Sequence, residues 1–177
     1  EILISKILID LFNINISMLE ASLISQFAEN KFIGVNCGIM DQFAIAMGKK
    51  DNAIFLNTNT LDYKYAPVKL DGMKIVISNT NKKRELADSK YNERRKECEN
   101  SLLEIKKVKP EIETLADLTP EEFENVKDVI KDETLQKRVK HVLYENDRTK
   151  KAYEFLQQNN IIEFGKLLNL THKSLKE

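Results

Sequence analysis

Apolar residues recur on a helical period across the first thirteen positions, at Ile2, Leu3, Ile7, Leu8 and Leu11. Asn13 and Asn15 break the pattern. Ser17 followed by Glu20 has the form of a capping box, in which hydroxyl and carboxylate satisfy orphan N–H groups reciprocally. A second helix is therefore predicted from about Met18 to Lys31, with Leu19, Leu23 and Phe27 on its inward face. Gly34 marks a turn. The run C-G-I-M-D-Q-F-A-I-A-M, residues 37–47, reads as a third helix that closes near Gly48.

The pattern changes after Lys50. A-I-F-L-N-T is a short apolar run of strand type, and Y-K-Y-A-P-V alternates, with Pro67 admissible only at an edge or strand end. M-K-I-V-I-S has the form of a buried strand. Three strands with short connections predict a small sheet, mixed or antiparallel, over residues 51–79. From Arg84 onward the pattern is helical. A charged helix is expected from about Glu85 to Lys107, ending before Pro110 and offering Leu86, Leu102, Leu103 and Ile105 as apolar contacts. Thr119 and Pro120 open a short helix. Leu135 to Gln158 forms a long one with Val139, Val142, Leu143 and Phe155 inward, and Asn160 and Glu163 cap a last helix through Leu175. The class is α+β and helix-rich, with no internal repeat. The change from strands to helices near residue 80 is a candidate subdomain boundary.

Composition narrows the setting. The 177 residues suit about one domain with a real core. Acidic and basic residues balance at 28 each, which leaves no basic excess for nucleic acid. No apolar run reaches the roughly 18 residues of a membrane span. Cys37 and Cys98 have no metal-type spacing, and free thiols point to a reducing, cytoplasmic compartment. Both cysteines read as packing residues without a nearby activating base. The chain starts without Met inside a helical pattern and stops inside another, so a fragment lacking both natural termini is expected.

The chemistry gathers on the third helix. Only Asp41 and Gln42 are polar among residues 37–47. Ile39, Met40, Phe43, Ala44, Ala46 and Met47 cover most of its circumference, and a helix apolar almost all round is a buried one. A carboxylate there must be paired, hydrogen-bonded or protonated. Asp41 lies in the first turn, where the dipole favours it by about 0.3–1 kcal/mol, too little to offset burial. Gly38 lies three residues earlier and permits close backbone approach. Pattern alone leaves two readings: Asp41 and Gly38 flank a small polar ligand, or Asp41 caps its own helix and Gly38 is a turn residue. His141 and His172 read as structural. The run K-K-R-E-L-A-D-S-K-Y-N-E-R-R-K-E reads as a solvated face, with Arg94 and Arg95 as possible exceptions.

The stretch F-A-E-N-K-F-I-G-V-N-C-G-I-M-D-Q-F-A-I-A-M-G-K resembles the galactokinases, within the superfamily that includes homoserine, mevalonate and phosphomevalonate kinases. The resemblance continues through A-I-F-L-N-T, S-N-T-N and S-K-Y-N-E-R-R-K-E-C-E, then R-V-K-H-V-L-Y-E-N-D-R-T and L-L-N-L-T-H-K-S-L. It spans essentially the whole chain. It implies part of the two-domain kinase fold of that superfamily, with residues 1–70 in an N-terminal sugar and ATP domain and 71–177 in a C-terminal domain. It implies ATP-dependent phosphorylation of galactose at the C1 hydroxyl, with Mg2+. Asp41 matches the aspartate facing the anomeric hydroxyl, Gly38 a backbone sugar contact, and Tyr91 a tyrosine on a sugar hydroxyl. Glu29 falls where related kinases place an acid near the metal, and a surface or helix-end role is its other reading.

Three parts of the family pattern are absent from the 177 residues: an N-terminal G-E-H-x-D-Y type segment with its arginine, the G-L-x-S-S-S loop that cradles ATP phosphates, and a Gly-rich segment near the C-terminus. The five glycines are not clustered, and successive free N–H groups for a phosphate usually need glycines. The cofactor-binding residues are thus unknown, and the isolated chain is expected to be inactive. Without its cationic partner Asp41 would be solvent-accessible or have a raised pKa. Unpaired sheet edges would make self-association a hazard, against a monomer expected for the complete protein. A galactokinase-like sugar sensor without turnover and an N-acetylgalactosamine kinase are the alternative readings.

Overall fold

The computed structural model describes residues 1–79, 81 and 90–176. They form two compact units, Glu1–Asn92 and Glu93–Glu177. In the first unit, helix α1 (Ile2–Phe12) ends at Asn13, whose left-handed backbone lets its N–H reach the Ile9 carbonyl. Helix α2 (Met18–Ala28) starts on the capping box expected of it: Ser17 Oγ accepts from Glu20 N–H at 3.2 Å, and Glu20 Oε2 accepts from Ser17 N–H at 2.7 Å. A π-helical turn, Glu29–Ile33, extends α2 and closes at Gly34, whose N–H donates to Glu29 C=O.

Helix α3 (Met40–Met47) packs on α2. The antiparallel hairpin of β1 (Asn52–Leu56) and β2 (Tyr63–Pro67) follows, with Ile54 opposite Tyr65 and Pro67 at the strand end. Phe43, 1% exposed, meets Tyr63 edge-on at 5.3 Å, and Tyr65 Oη donates to the Met47 carbonyl at 2.6 Å. These contacts pin the end of α3 to the hairpin.

Two expectations for this unit fail, and the apolar positions of α1 are left largely uncovered. The inward face of α2 is Ala21, Ser22 and Ser25, while Leu23 and Phe27 are exposed and Leu19 is half-buried. Ser22 Oγ donates to the Leu19 carbonyl at 2.7 Å, so this serine is satisfied within its own helix and can be buried. Of the apolar positions of α1 only Ile2 is buried; Leu3, Ile7, Leu8 and Leu11 are open to solvent. Residues 73–78 are no strand: Ile75, Val76 and Ile77 are exposed and, among the described residues, no strand pairs with them. A β-branched run favours extended backbone but becomes a strand only beside a partner. The sheet therefore has two strands where three were expected.

The second unit holds most of helix α4 (Lys90–Lys106), then α5 (Pro120–Val126), α6 (Glu133–Gln157) and α7 (Ile161–Lys176). The expected beginning of the charged helix at Glu85, with Leu86, lies outside the described residues. Thr119 forms the capping box of α5 with Glu122, and Asp132 Oδ1 accepts from Thr134 N–H at 2.7 Å to open α6. Asn160 accepts from Glu163 N–H at 3.3 Å in the first turn of α7. The core joins Ile105, Ile112, Leu115, Leu118, Phe123, Ile130, Val139 and Leu143, with Leu102 and Val142 packed against it. Leu103 is exposed and Phe155 only half-buried, since Leu156 takes the buried position beside it. His141 is half-buried with Nδ1 2.8 Å from Ser174 Oγ, and burial pushes its pKa down. His172 is exposed. No helix of the described residues is long and apolar enough to cross a membrane.

Candidate functional site

The loop between the π turn and α3 is held from three directions. From α2 and the π turn, Gln26 Nε2 donates to the Cys37 carbonyl at 3.2 Å and Asn30 Nδ2 to the same carbonyl at 3.4 Å. Asn30 Oδ1 accepts from Cys37 N–H at 3.0 Å. From the first turn of α4, Asn92 Oδ1 accepts from Asn36 N–H at 3.1 Å, and Tyr91 Oη accepts from Gly38 N–H at 3.2 Å. From below, Val35 and Ile39 are buried. Gly38 and Tyr91, 53 residues apart in sequence, are thereby brought together.

Asp41 stands three residues beyond Gly38, in the first turn of α3, and is exposed. This corrects the reading of α3 as a helix buried all round. Its buried strip is Ile39, Gln42 and Phe43, which face α2 and the hairpin, while Met40 and Ile45 are open. Asp41 therefore shares the open side of the helix start with Gly38. The solvent-accessible state, one of the two expected for this carboxylate, is the one the structure has. Gly38 itself is exposed, and a Cβ built on it would meet only Tyr91 Oη, at 3.8 Å. Tyr91 is 48% exposed. Its oxygen accepts from Gly38, which leaves its own proton free to donate outward.

Glu29 sits under this loop. Its Oε2 is 3.3 Å from Cys37 Sγ, which also lies 3.3 Å from Asn30 Oδ1. Desolvation and the Glu29 carboxylate push the Cys37 pKa up, so the group remains a thiol rather than a nucleophilic thiolate. Among the described residues no three His, Cys, Asp or Glu side chains cluster for a metal ion. Mg2+ prefers about six oxygens, commonly one or two carboxylates with phosphates and water. Glu29 offers one such carboxylate, which here accepts from the Cys37 thiol at 3.3 Å, and it would leave most of that donor set to phosphate and water. Arg94 and Arg95 are engaged within α4: Arg94 pairs with Glu97 at 2.8 Å and Arg95 with Glu99 at 3.0 Å.

Gln26, Asn30 and Asn92 were not anticipated from the sequence. Gln26 and Asn30 are four residues apart, a spacing that places both on one helix face, but nothing local says what that face would meet. The partner loop is seven to eleven residues on, across a π turn that sequence periodicity does not report.

Residues 1–49 match the family model described as the GHMP kinases N terminal domain. The galactokinase of Clostridium beijerinckii is 59% identical over all 177 residues, and that of Fusobacterium nucleatum 55%. The crystal structure of Lactococcus lactis galactokinase complexed with galactose superposes with a TM-score of 0.94 at 47% identity, over the whole of this chain and 45% of that one. The chain spans about 45% of the length of these relatives.

Proposed function

The chain belongs to the galactokinase family, and on that premise we propose that it supplies the sugar-facing part of an enzyme that phosphorylates galactose at the C1 hydroxyl. The observation that carries the proposal is the contact between Gly38 and Tyr91 beside an exposed Asp41. Asp41 orients the C1 hydroxyl through its carboxylate. The sugar oxygen attacks the terminal phosphorus of ATP, ADP leaves, and the hydroxyl proton passes to Asp41. Phosphoryl transfer of this kind runs through a loose transition state, where positioning outweighs early deprotonation. An aspartate is too weak a base to ionise a sugar hydroxyl in advance, so it accepts the proton late, as the new P–O bond forms. Tyr91 donates to a second sugar hydroxyl, and the Gly38 backbone closes against the ring.

ATP supplies the phosphoryl group as co-substrate. The sequence holds no Gly/Ser-rich run for its phosphates, so no residue here is assigned to it. Residues 1–70 are placed in the N-terminal domain and 71–177 in the C-terminal domain, an assignment supported at its start by the match over residues 1–49. A cytoplasmic setting, with Cys37 and Cys98 free, goes with the same reading.

The test uses the full-length protein with galactose, ATP and Mg2+, following galactose 1-phosphate by phosphorus NMR. Asp41→Asn keeps the shape and removes the proton acceptor. Loss of a positioned acid–base group lowers turnover by about 10²–10⁴-fold. Normal turnover in that variant would overturn the role of Asp41, and absence of product from a folded wild type would overturn the activity. N-acetylgalactosamine as a competing substrate separates the two sugar specificities.

A further inference from the structure

We propose that Asn30, assisted by Gln26, is the positioning residue of the sugar site: it clamps the Cys37–Gly38 peptide in the orientation that Tyr91 and a bound sugar require. The proposal rests on the galactose reading for its ligand but on geometry for the clamp.

The two ends of one peptide plane are held by different elements. Its oxygen, the Cys37 carbonyl, takes two donors, Gln26 Nε2 at 3.2 Å and Asn30 Nδ2 at 3.4 Å. Its nitrogen, Gly38 N–H, donates to Tyr91 Oη at 3.2 Å. Asn30 also grips the preceding N–H of Cys37 at 3.0 Å, sharing it with the Val35 carbonyl at 2.8 Å. One carboxamide thus reads both polar groups of Cys37, as a neighbouring β-strand would. The donor at Cys37 N–H requires the oxygen of Asn30 on that side and the nitrogen on the carbonyl side, which fixes the orientation of the amide.

The π-helical turn belongs to the same device. Inserting i→i+5 hydrogen bonds at Glu29–Ile33 changes the angular register of α2 at its last turn. Asn30 then meets the Cys37 backbone while Gln26, one turn earlier, converges on the same oxygen. Glu29, at the start of the turn, contacts the Cys37 thiol. Three polar groups of one residue, the carbonyl, the N–H and the thiol of Cys37, are all engaged from this short segment. Rotating the peptide would turn Gly38 N–H off Tyr91 and swing the tyrosine proton away from its outward direction. Asn30 touches no sugar in this scheme; it acts through Gly38 and Tyr91.

The experiment compares Asn30→Ala, Asn30→Asp and Gln26→Ala with wild type in the full-length protein. Asn30→Ala raises the KM for galactose about tenfold, leaves the KM for ATP within twofold, and speeds hydrogen exchange at Gly38 N–H about tenfold without sugar present. Asn30→Asp, which keeps the acceptor for Cys37 N–H and loses the donor to its carbonyl, gives a smaller rise, as does Gln26→Ala. Equal changes in both KM values would mark a general loss of structure and overturn the positioning role. An unchanged galactose KM, or unchanged Gly38 exchange, would overturn it too. If Asn30→Ala does not fold, the isosteric Asn30→Asp decides by the same two readouts. If wild type turns over no galactose, the activity reading falls, while Gly38 exchange still decides the clamp.

Discussion

At the residue scale the site is a matter of which atoms are already spent. Tyr91 Oη accepts from Gly38 N–H, so its remaining capacity is one outward proton and one lone pair. Tyr91→Phe removes that donor and leaves Gly38 N–H without the acceptor. A lost neutral hydrogen bond of this kind costs about 1 kcal/mol, so galactose affinity measured by calorimetry falls roughly fivefold. Gly38→Ala works differently. Its Cβ meets nothing within 4 Å except Tyr91 Oη at 3.8 Å, so the substitution costs the fold little. The methyl group projects into the open space where the sugar would lie. The expected outcome is a protein that melts within a few degrees of wild type and binds galactose at least tenfold more weakly. Equal binding would show that the sugar does not approach this backbone. Gly38, Asp41 and Tyr91 were singled out in the sequence through the resemblance of their motifs, and the structure brings Gly38 and Tyr91 into contact. The exposure of Asp41 was one of two alternatives the sequence left open, because apolar composition around a helix says how much surface is greasy, and not how much of it finds a partner.

At the element scale the signals that held were local and those that failed were not. The Ser17–Glu20 capping box and the Thr119 cap, which takes Glu122 as its reciprocal partner, appear as hydrogen-bonded pairs, because each is complete within four residues. Ser17→Ala removes the acceptor for Glu20 N–H at the start of the helix that carries Gln26 and leads into the π turn. An N-cap serine contributes about 1 kcal/mol, so the urea midpoint falls accordingly with the slope unchanged; no shift would mean that tertiary contacts alone hold α2. The inward face of α2 and the state of residues 73–78 depend on what lies beside them, and a one-dimensional pattern carries no such information. A face of Ala21, Ser22 and Ser25 looks polar in the sequence and is buried in the fold. The run Ile75, Val76 and Ile77 looks like core and is open.

At the scale of the whole molecule the two units differ in what supports them, and acid tests that difference. The second unit has a continuous apolar core from Ile105 to Leu143 and a set of carboxylates tied into it. Glu122 accepts from Lys109 Nζ at 2.7 Å and from Thr119 N–H at 2.9 Å, and these partners, the lysine first, hold its pKa down to about 2. Glu97, between Arg94 and Arg138, and Asp117, on the Thr114 and Glu113 amides, are lowered as well. A carboxylate with a folded pKa below its unfolded value stabilises fully above the unfolded value and loses that contribution as pH falls toward the folded one. For Glu122 the window runs from 4.5 to about 2. His141 acts earlier in the same direction: burial disfavours its charged form, so protonation in the unfolded chain begins to draw stability away below its ordinary 6.5. The urea midpoint of this unit should therefore fall in two stages between pH 7 and pH 2. Lys109→Met removes the first partner of Glu122, so its titration, followed by carboxyl carbon NMR, should move up toward the ordinary range and the lower stage should shrink. If Glu122 still titrates near 2 in that variant, the lysine is not what holds it. The first unit buries few large side chains, Phe43 foremost, and leaves Leu3, Ile4, Leu11 and Phe12 of α1 exposed. Amide exchange at 25 °C should accordingly be slowest around Val139 and Leu143 of α6 and fast along α1, since opening costs least where little apolar surface is buried. Slow exchange throughout α1 in the isolated chain would mean that its open apolar face has found a second copy to cover it.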